Sequence, residues 1–198
     1  MEFSQDFILS NKQKFIDLIN SIEREGFKKE ELLTKLENSD FYYAPASVKY
    51  HNSFKGGLVD HCLCVYNNLK SLVISKHLEE TISEDSIKIV SVFHDISKMN
   101  FYEEYDKNVK VEGKWVQEKC FKIRDNRFIF GSHEENSYFI ASKYIPLTYD
   151  ESIAIINHMG GMGFDSSQHT VGEVFSQSSL ATLLFVADTI STYIDEYE

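Results

Sequence analysis

The stretch SEDSIKIVSVFHDISK, residues 83–98, decides how the chain is read. Ser83 can cap a free backbone amide, and Glu84 and Asp85 favour the positive end of a helix dipole, so a helix is predicted to start here. Ile87, Val90 and Phe93 keep the helical period and carry it to His94-Asp95. A His-Asp doublet alone is weak evidence, since such pairs occur by chance in many sequences, so its meaning rests on the rest of the chain.

Working outward, Phe7, Phe15, Leu18, Ile19 and Ile22 recur at helical spacing. Leu32, Leu33 and Leu36 do so again after the break at Gly26, giving two N-terminal helices. After a loop around Pro45, Gly56-Gly57 opens a third helix through Leu58, Val65, Leu69 and Leu72, which carries His61. From Phe101 to Phe130 the pattern turns to aromatic and β-branched residues interleaved with charges, with Gly113 and Asp125-Asn126 as turn signals. A β-hairpin insertion over 101–130 follows. Helical spacing returns near Ser132 and stops before Pro146. Thr148 and Glu151 then have capping-box spacing for a helix ending near His158. Gly160-Gly161-Met162-Gly163 separates it from a strongly apolar last helix containing Leu180, Leu183, Leu184, Phe185 and Val186.

The 198 residues suit one domain, with N-terminal helices over 1–45 packed on a core over 50–195. With 42% hydrophobic and 26% charged residues the chain has a folded protein's balance, not a disordered one's. A net charge of −11 repels a phosphate backbone, so extended duplex binding is not expected and any phosphorylated substrate needs a local cationic site. Cys62, Cys64 and Cys120 form no C-x-x-C pair, which fits a reducing cytoplasm. The N-terminal residues show no signal pattern and no apolar run approaches membrane-span length, so a cytoplasmic, membrane-free location is expected.

The chemistry-bearing residues are His61, His94, Asp95, His133, His158 and Asp188. Any one histidine beside apolar neighbours is most simply a hydrogen-bonded core residue. Asp188 resists that reading: it sits in Leu183-Leu184-Phe185-Val186-Ala187-Asp188-Thr189-Ile190, and a buried carboxylate needs a charge partner or a metal.

Gly56-Gly57-Leu58-Val59-Asp60-His61, Phe93-His94-Asp95-Ile96-Ser97-Lys98, His133 at a helix head, Ile156-Asn157-His158-Met159-Gly160 and Ala187-Asp188 together resemble the ordered motifs of HD-domain metal-dependent phosphohydrolases. The resemblance spans about residues 50–195. It implies a mainly α HD-type bundle, and it resembles small bacterial and phage HD hydrolases and the HD domain of a bacterial 3′-to-5′ exoribonuclease. It further implies that His61, His94, Asp95 and Asp188 hold one divalent ion, with Asp95 bridging to a second held by His133 and His158. Imidazole and carboxylate suit manganese, iron, cobalt, nickel or zinc.

The implied activity is hydrolysis of a phosphomonoester or phosphodiester of a nucleotide or short single-stranded oligonucleotide by a metal-activated water. In the same resemblance Asp95 and Lys98 are the catalytic pair, with Lys98 reaching substrate phosphate; its bland alternative is an exposed helix-end lysine. His51 is read either as a substrate contact or as a structural hydrogen-bonding residue. Arg124 and Arg127 are read either as phosphate ligands or as solvated hairpin residues. The competing function is a nucleotide sensor or scaffold that keeps the pocket without catalysis.

Overall fold

The computed structural model describes residues 4–48, 51–125, 131–160 and 171–195. It is mainly α-helical with a single two-stranded hairpin among the described residues. Helices α1 (Gln5–Asn20) and α2 (Lys29–Glu37) precede α3 (Gly57–Ser75) and α4 (Glu84–Phe93). A 3-10 turn, Ile96–Lys98, leads into β1 (Tyr102–Val111) and β2 (Lys114–Ile123). Then come α5 (His133–Tyr144), α6 (Tyr149–Ile156), α7 (Val171–Gln177) and α8 (Ser179–Ile190), and a wider π-type turn, Ser191–Asp195.

Helix α3 packs against α1, α4 and α8, and α6 closes the other side against α4, α5 and α8. One hydrophobic cluster joins Phe15, Ile19, Leu32, Leu36, Leu58, Leu69, Phe93, Ile155 and Leu184, so the N-terminal helices share the core of the later ones. No helix among the described residues is long and apolar enough to cross a membrane.

Helix starts follow the sequence chemistry. Ser83 accepts from the Ser86 amide, and Thr148 and Glu151 form the expected capping box. A second box, Ser132 with Glu135, starts α5, so His133 is its first residue. Three boundaries differ from the sequence reading. Helix α4 ends at Phe93, with His94 as its cap, and the chain tightens into the 3-10 turn that carries Lys98. His158 lies two residues past the end of α6. The last apolar segment is preceded by a separate helix, α7, whose few apolar residues gave it too weak a period to be read. Arg127 and Gly161-Met162-Gly163 lie outside the described residues.

The Gly56-Gly57 pair has a steric cause. Gly56 has φ +90°, in the left-handed region, and a Cβ on Gly57 would collide with the carbonyl oxygen of Asn52. Asn52 is fully buried at φ +43° and donates to Asp60, which also accepts from Asn11. These contacts fix the first turn of α3, one residue before His61.

The hairpin is a regular ribbon, with Tyr102 opposite Ile123 and Val111 opposite Lys114. Glu112 and Gly113 both have positive φ, as a two-residue type I′ connection requires. Most of it is exposed, including Trp115.

Glu151 has no exposed surface and accepts two bonds from Arg24, at 2.7 and 3.0 Å, one from Ser86 Oγ and one from the Thr148 amide. Burial opposes its ionisation, but Arg24 and the other donors outweigh this and lower its pKa. A lowered carboxylate contributes stability above its unfolded pKa and loses it as pH falls through the folded value. Glu151→Ala leaves Arg24 without its partner and is expected to cost about 3 kcal/mol, the low end for breaking a buried pair, because Arg24 can partly rehydrate. Urea denaturation should show this loss at pH 7, and a much smaller difference from the parent below the folded pKa of Glu151. An equal loss at both pH values would mean packing, not charge, is what Glu151 supplies.

Candidate metal centre

Five elements converge on one point. His61 comes from the second turn of α3, His94 and Asp95 from the end of α4, His133 from the head of α5, His158 from the turn after α6, and Asp188 from the last turn of α8. All but His133 are buried below one tenth of their surface.

Asp95 stands at the centre. Its Oδ2 lies 3.4 Å from His61 Nε2 and 3.6 Å from His94 Nε2, and these two nitrogens are 3.1 Å apart. Its Oδ1 lies 3.6 Å from His133 Nε2 and 3.7 Å from His158 Nε2. Two possible metal-holding groups therefore share one residue: His61, His94 and Asp95, and Asp95, His133 and His158, each with ligand atoms within 4.8 Å of one another. Asp188 Oδ1 is 3.3 Å from His61 Nε2, beside the first group. Donor atoms at about 2.1 Å from one ion lie about 3.0–3.4 Å apart in octahedral or tetrahedral arrangements. The observed separations sit at or slightly above that range.

The second group gives the sharper test. Asp95 Oδ1, His133 Nε2 and His158 Nε2 are all buried without a hydrogen-bond partner. At 3.6–3.7 Å the imidazoles are too far from the carboxylate oxygen to hydrogen-bond it. Three convergent, unpartnered buried polar atoms are costly unless something occupies the space between them. A cation suits two imidazole nitrogens and a carboxylate oxygen, so the residues fit a divalent metal.

The outer contacts prepare the imidazoles. His94 Nδ1 lies 3.0 Å from the Ser91 carbonyl and His158 Nδ1 lies 2.8 Å from the Ile155 carbonyl. A carbonyl only accepts, so each ring places its proton on Nδ1 and turns the Nε2 lone pair inward. His133 Nδ1 instead meets the buried carboxylate of Glu134 at 3.2 Å. Sequence reasoning missed Glu134, although a carboxylate next to a candidate histidine at a helix head is the available signal. It also missed Ser97 and Ser137. Ser97 donates to the His133 carbonyl and accepts from Ser137, tying the 3-10 turn to α5.

The electrostatics favour a cation. Burial pushes His94 down to about 3, with His158 and His61 adding to the effect, so it is neutral as a ligand must be. Burial also opposes ionisation of Asp95 and Asp188, yet Lys98 and the imidazoles hold Asp95 well below the usual carboxylate range, and His61 does the same for Asp188. Burial opposes a charge on His158, but Asp95 and Asp188 outweigh it and push His158 up, so an ion binding there would displace its proton; two carboxylates then outweigh one ammonium.

Lys98 Nζ is 2.7 Å from Asp95 Oδ2, and only 14% of its side chain is exposed. It is therefore not an exposed helix-end lysine. Lys98 and His51 line a cavity of about 290 Å³ with Asp95, His133, His158 and Asp188. Arg124 lies at the base of the hairpin, bonded to the Tyr102 carbonyl and to Asp40.

Compared with family models, with curated proteins and with solved structures, the chain matches none. What the structure establishes is thus the centre itself: a buried histidine–aspartate cluster compatible with an HD-like metal site.

A metal bound only by the folded state stabilises it by about 2.7 kcal/mol at 100 times its Kd, or about 5–10 °C for a chain of this size. Chelated protein should gain a shift of this order on adding manganese, and Asp95→Ala, which removes the residue common to both groups, should gain none. An undiminished shift in Asp95→Ala would place the metal elsewhere.

Proposed function

We propose that the protein is a metal-dependent phosphohydrolase that cleaves a phosphomonoester or phosphodiester of a nucleotide or short oligonucleotide, using water as nucleophile. The observation that carries this reading is the division of the Asp95 oxygens, one toward His61 and His94 and the other toward His133 and His158. That arrangement suits a pair of divalent ions, with Asp188 completing the first position. Such a pair, when bound, supplies Lewis-acid polarisation of the phosphoryl group and lowers the pKa of a water toward neutrality.

The chain's own residues do the rest. Asp95 fixes the two positions relative to each other, and His94 and His158 are kept in one tautomer by their carbonyl partners. Lys98 lines the cavity with its charge beside Asp95, where it can also reach a phosphoryl oxygen and offset charge that develops there. His51 lines the same cavity and is pushed down to about 4 by burial and by His61, so it offers a neutral imidazole to substrate.

The first test is hydrolysis by manganese-loaded protein across mononucleotides, cyclic nucleotides, dinucleotides and short oligonucleotides, with the metal content measured on the same sample. About two ions per chain and turnover of at least one class are expected. Metal without turnover of any class would leave the sensor reading in place, and one ion per chain even after loading would return His133 and His158 to structural roles.

Lys98→Ala is expected to lower kcat about 10²–10³-fold, the loss typical of one electrostatic stabiliser, with metal content retained. Loss of the metal in this variant would show that Lys98 serves the cluster and not the substrate. The hairpin carries none of the cluster residues. Replacing 103–122 with a short Gly-containing turn should therefore keep metal binding and some hydrolysis of bis-p-nitrophenyl phosphate, while altering preference among nucleotides. Unaltered preference would make the ribbon structural.

A further inference from the structure

One wall of the cavity is built by one helix face and the turn that follows it. Phe185, Asp188, Thr189 and Thr192 recur at i, i+3, i+4 and i+7 along α8 and its extension, and all four line the cavity, with Tyr193 next to them. The helix that presents Asp188 to the cluster thus also presents a ring and two hydroxyls to whatever enters.

Phe185 is fixed in place. Phe175 stacks on it, with centroids 5.3 Å apart and ring planes 26° from parallel. Gly160, at φ +60°, lies so close to the edge of the ring that a Cβ there would overlap it. Tyr193 differs: it lines the cavity, yet 72% of its surface is exposed. Its position depends on the turn Ser191–Asp195, which widens from α-helical to π-type geometry directly after α8. Asn68 secures that turn, its side-chain amide donating to Ser191 Oγ at 2.9 Å and to Asp195 Oδ2 at 2.8 Å. Asn68 stands seven residues after His61 on α3, on the same helix face. One face of α3 therefore holds the cluster and also holds the wall of the cavity.

The hydroxyls have a defined polarity. Thr189 Oγ1 donates to the Phe185 carbonyl at 2.8 Å, so toward the cavity it has only lone pairs to offer. It can recognise a ligand N–H or O–H, but it cannot donate to a ligand acceptor. A cavity of about 290 Å³ lies at the small end of the range of about 300–1,000 Å³ for ligand pockets.

Resting on the phosphohydrolase reading, we infer that Phe185, Thr189 and Tyr193 form the recognition wall for a single flat, hydrogen-bonding group carried by the phosphate ester. That group is the base and sugar of one nucleoside, and Asn68 is the positioning residue that sets Tyr193. Rings are suited to a base because every base has a face to stack, while the thymine-like or purine-like choice is left to the few polar atoms at the rim. Turnover of longer oligonucleotides is disfavoured by the size of the cavity.

The test compares adenosine 5′-monophosphate with ribose 5-phosphate, which share phosphate and sugar and differ only in the base. Affinity is measured by equilibrium titration of manganese-loaded protein, and hydrolysis of both compounds is followed separately. The parent is expected to bind the nucleotide at least tenfold more tightly. Tyr193→Ala should reduce that ratio by about five- to 150-fold, or to unity if the parent ratio is smaller, the effect of removing one stacking partner. Tyr193→Phe should restore it. Asn68→Ala should reduce the ratio in the same direction, and the double variant should lose no more than Tyr193→Ala alone, which a merely structural Asn68 would not produce. Ile194→Ala, exposed beside Tyr193 but not part of the wall, should leave the ratio unchanged. Because Tyr193 is exposed, its truncation leaves the core intact. Equal binding of the two compounds by the parent, or a ratio unmoved by Tyr193→Ala, overturns the inference whether or not hydrolysis occurs. Base-dependent binding without hydrolysis of either compound supports the wall and overturns the phosphomonoesterase form of the catalytic reading instead.

Discussion

The structure depends on the burial of one ionised carboxylate. Asp95 is 1% exposed, and removing such a group from water costs several kcal/mol unless positive charge or donors surround it. Lys98 supplies this on one side, 2.7 Å from Oδ2. On the other side Oδ1 faces two imidazole nitrogens that are themselves unpartnered. The lysine thus answers half of the demand, and a cation held between Asp95, His133 and His158 would answer the remainder. His61 and His158 are almost fully buried, while His133, which lines the cavity, keeps 29% of its side chain exposed.

Placing the ligands requires the surrounding scaffold to be rigid at five separated points, and local devices fix three of them. The glycine pair lets Asn52 pass close beneath the start of α3, and Asp60 locks that crossing from the other side. The capping box of Ser132 and Glu135 starts α5 at His133, and Ser97 ties that helix to the turn bearing Lys98. The box at Thr148 and Glu151 is extended by Arg24 from the N-terminal region, which sets α6 and hence the turn bearing His158. Such ties are short-range and polar, whereas the shared apolar core only brings the helices together.

Much of this was legible in the sequence because the signals were local. The capping residues Ser83 and Thr148, the apolar periods of α1, α3 and α8, and Gly113 at the hairpin tip each report on their own neighbourhood and each appears as expected. The sequence also pointed to His61, His94, Asp95, His133 and His158, which the fold gathers into one cluster with Asp188 beside it, since an apolar helix carrying a histidine or aspartate marks a polar group bound for the interior. The partners of those ligands were not legible. Glu134 reads as an ordinary acidic residue in a first helical turn, and its role beside His133 follows only from how α5 meets its neighbours. Asn68 and Ser191 lie 123 residues apart and touch only in the fold. The hand-over from α4 to a 3-10 turn was hidden for a different reason: three residues are too few to establish a period, and Lys98 fits either geometry until Asp95 is seen beside it.

Charge then sets an order of events. The chain carries −11 overall, and the charged side chains lining the cavity among the described residues are Asp95, Asp188 and Lys98. The single ammonium is already held by Asp95, and Arg124 is turned to Asp40 at the base of the hairpin. A phosphate arriving at the cavity without metal would therefore meet two carboxylates and one committed lysine, a net repulsion made stronger by burial. On the proposed reading, two divalent ions would reverse the sign of the same cavity, from about −1 to about +3 by formal charge with the imidazoles neutral. On that reading, metal binding ahead of substrate is the electrostatically favoured order. The net charge of −11 would then favour a small phosphate ester over a long polyanion, because the polyanion is repelled along its length while the small ester feels chiefly the local field inside the cavity.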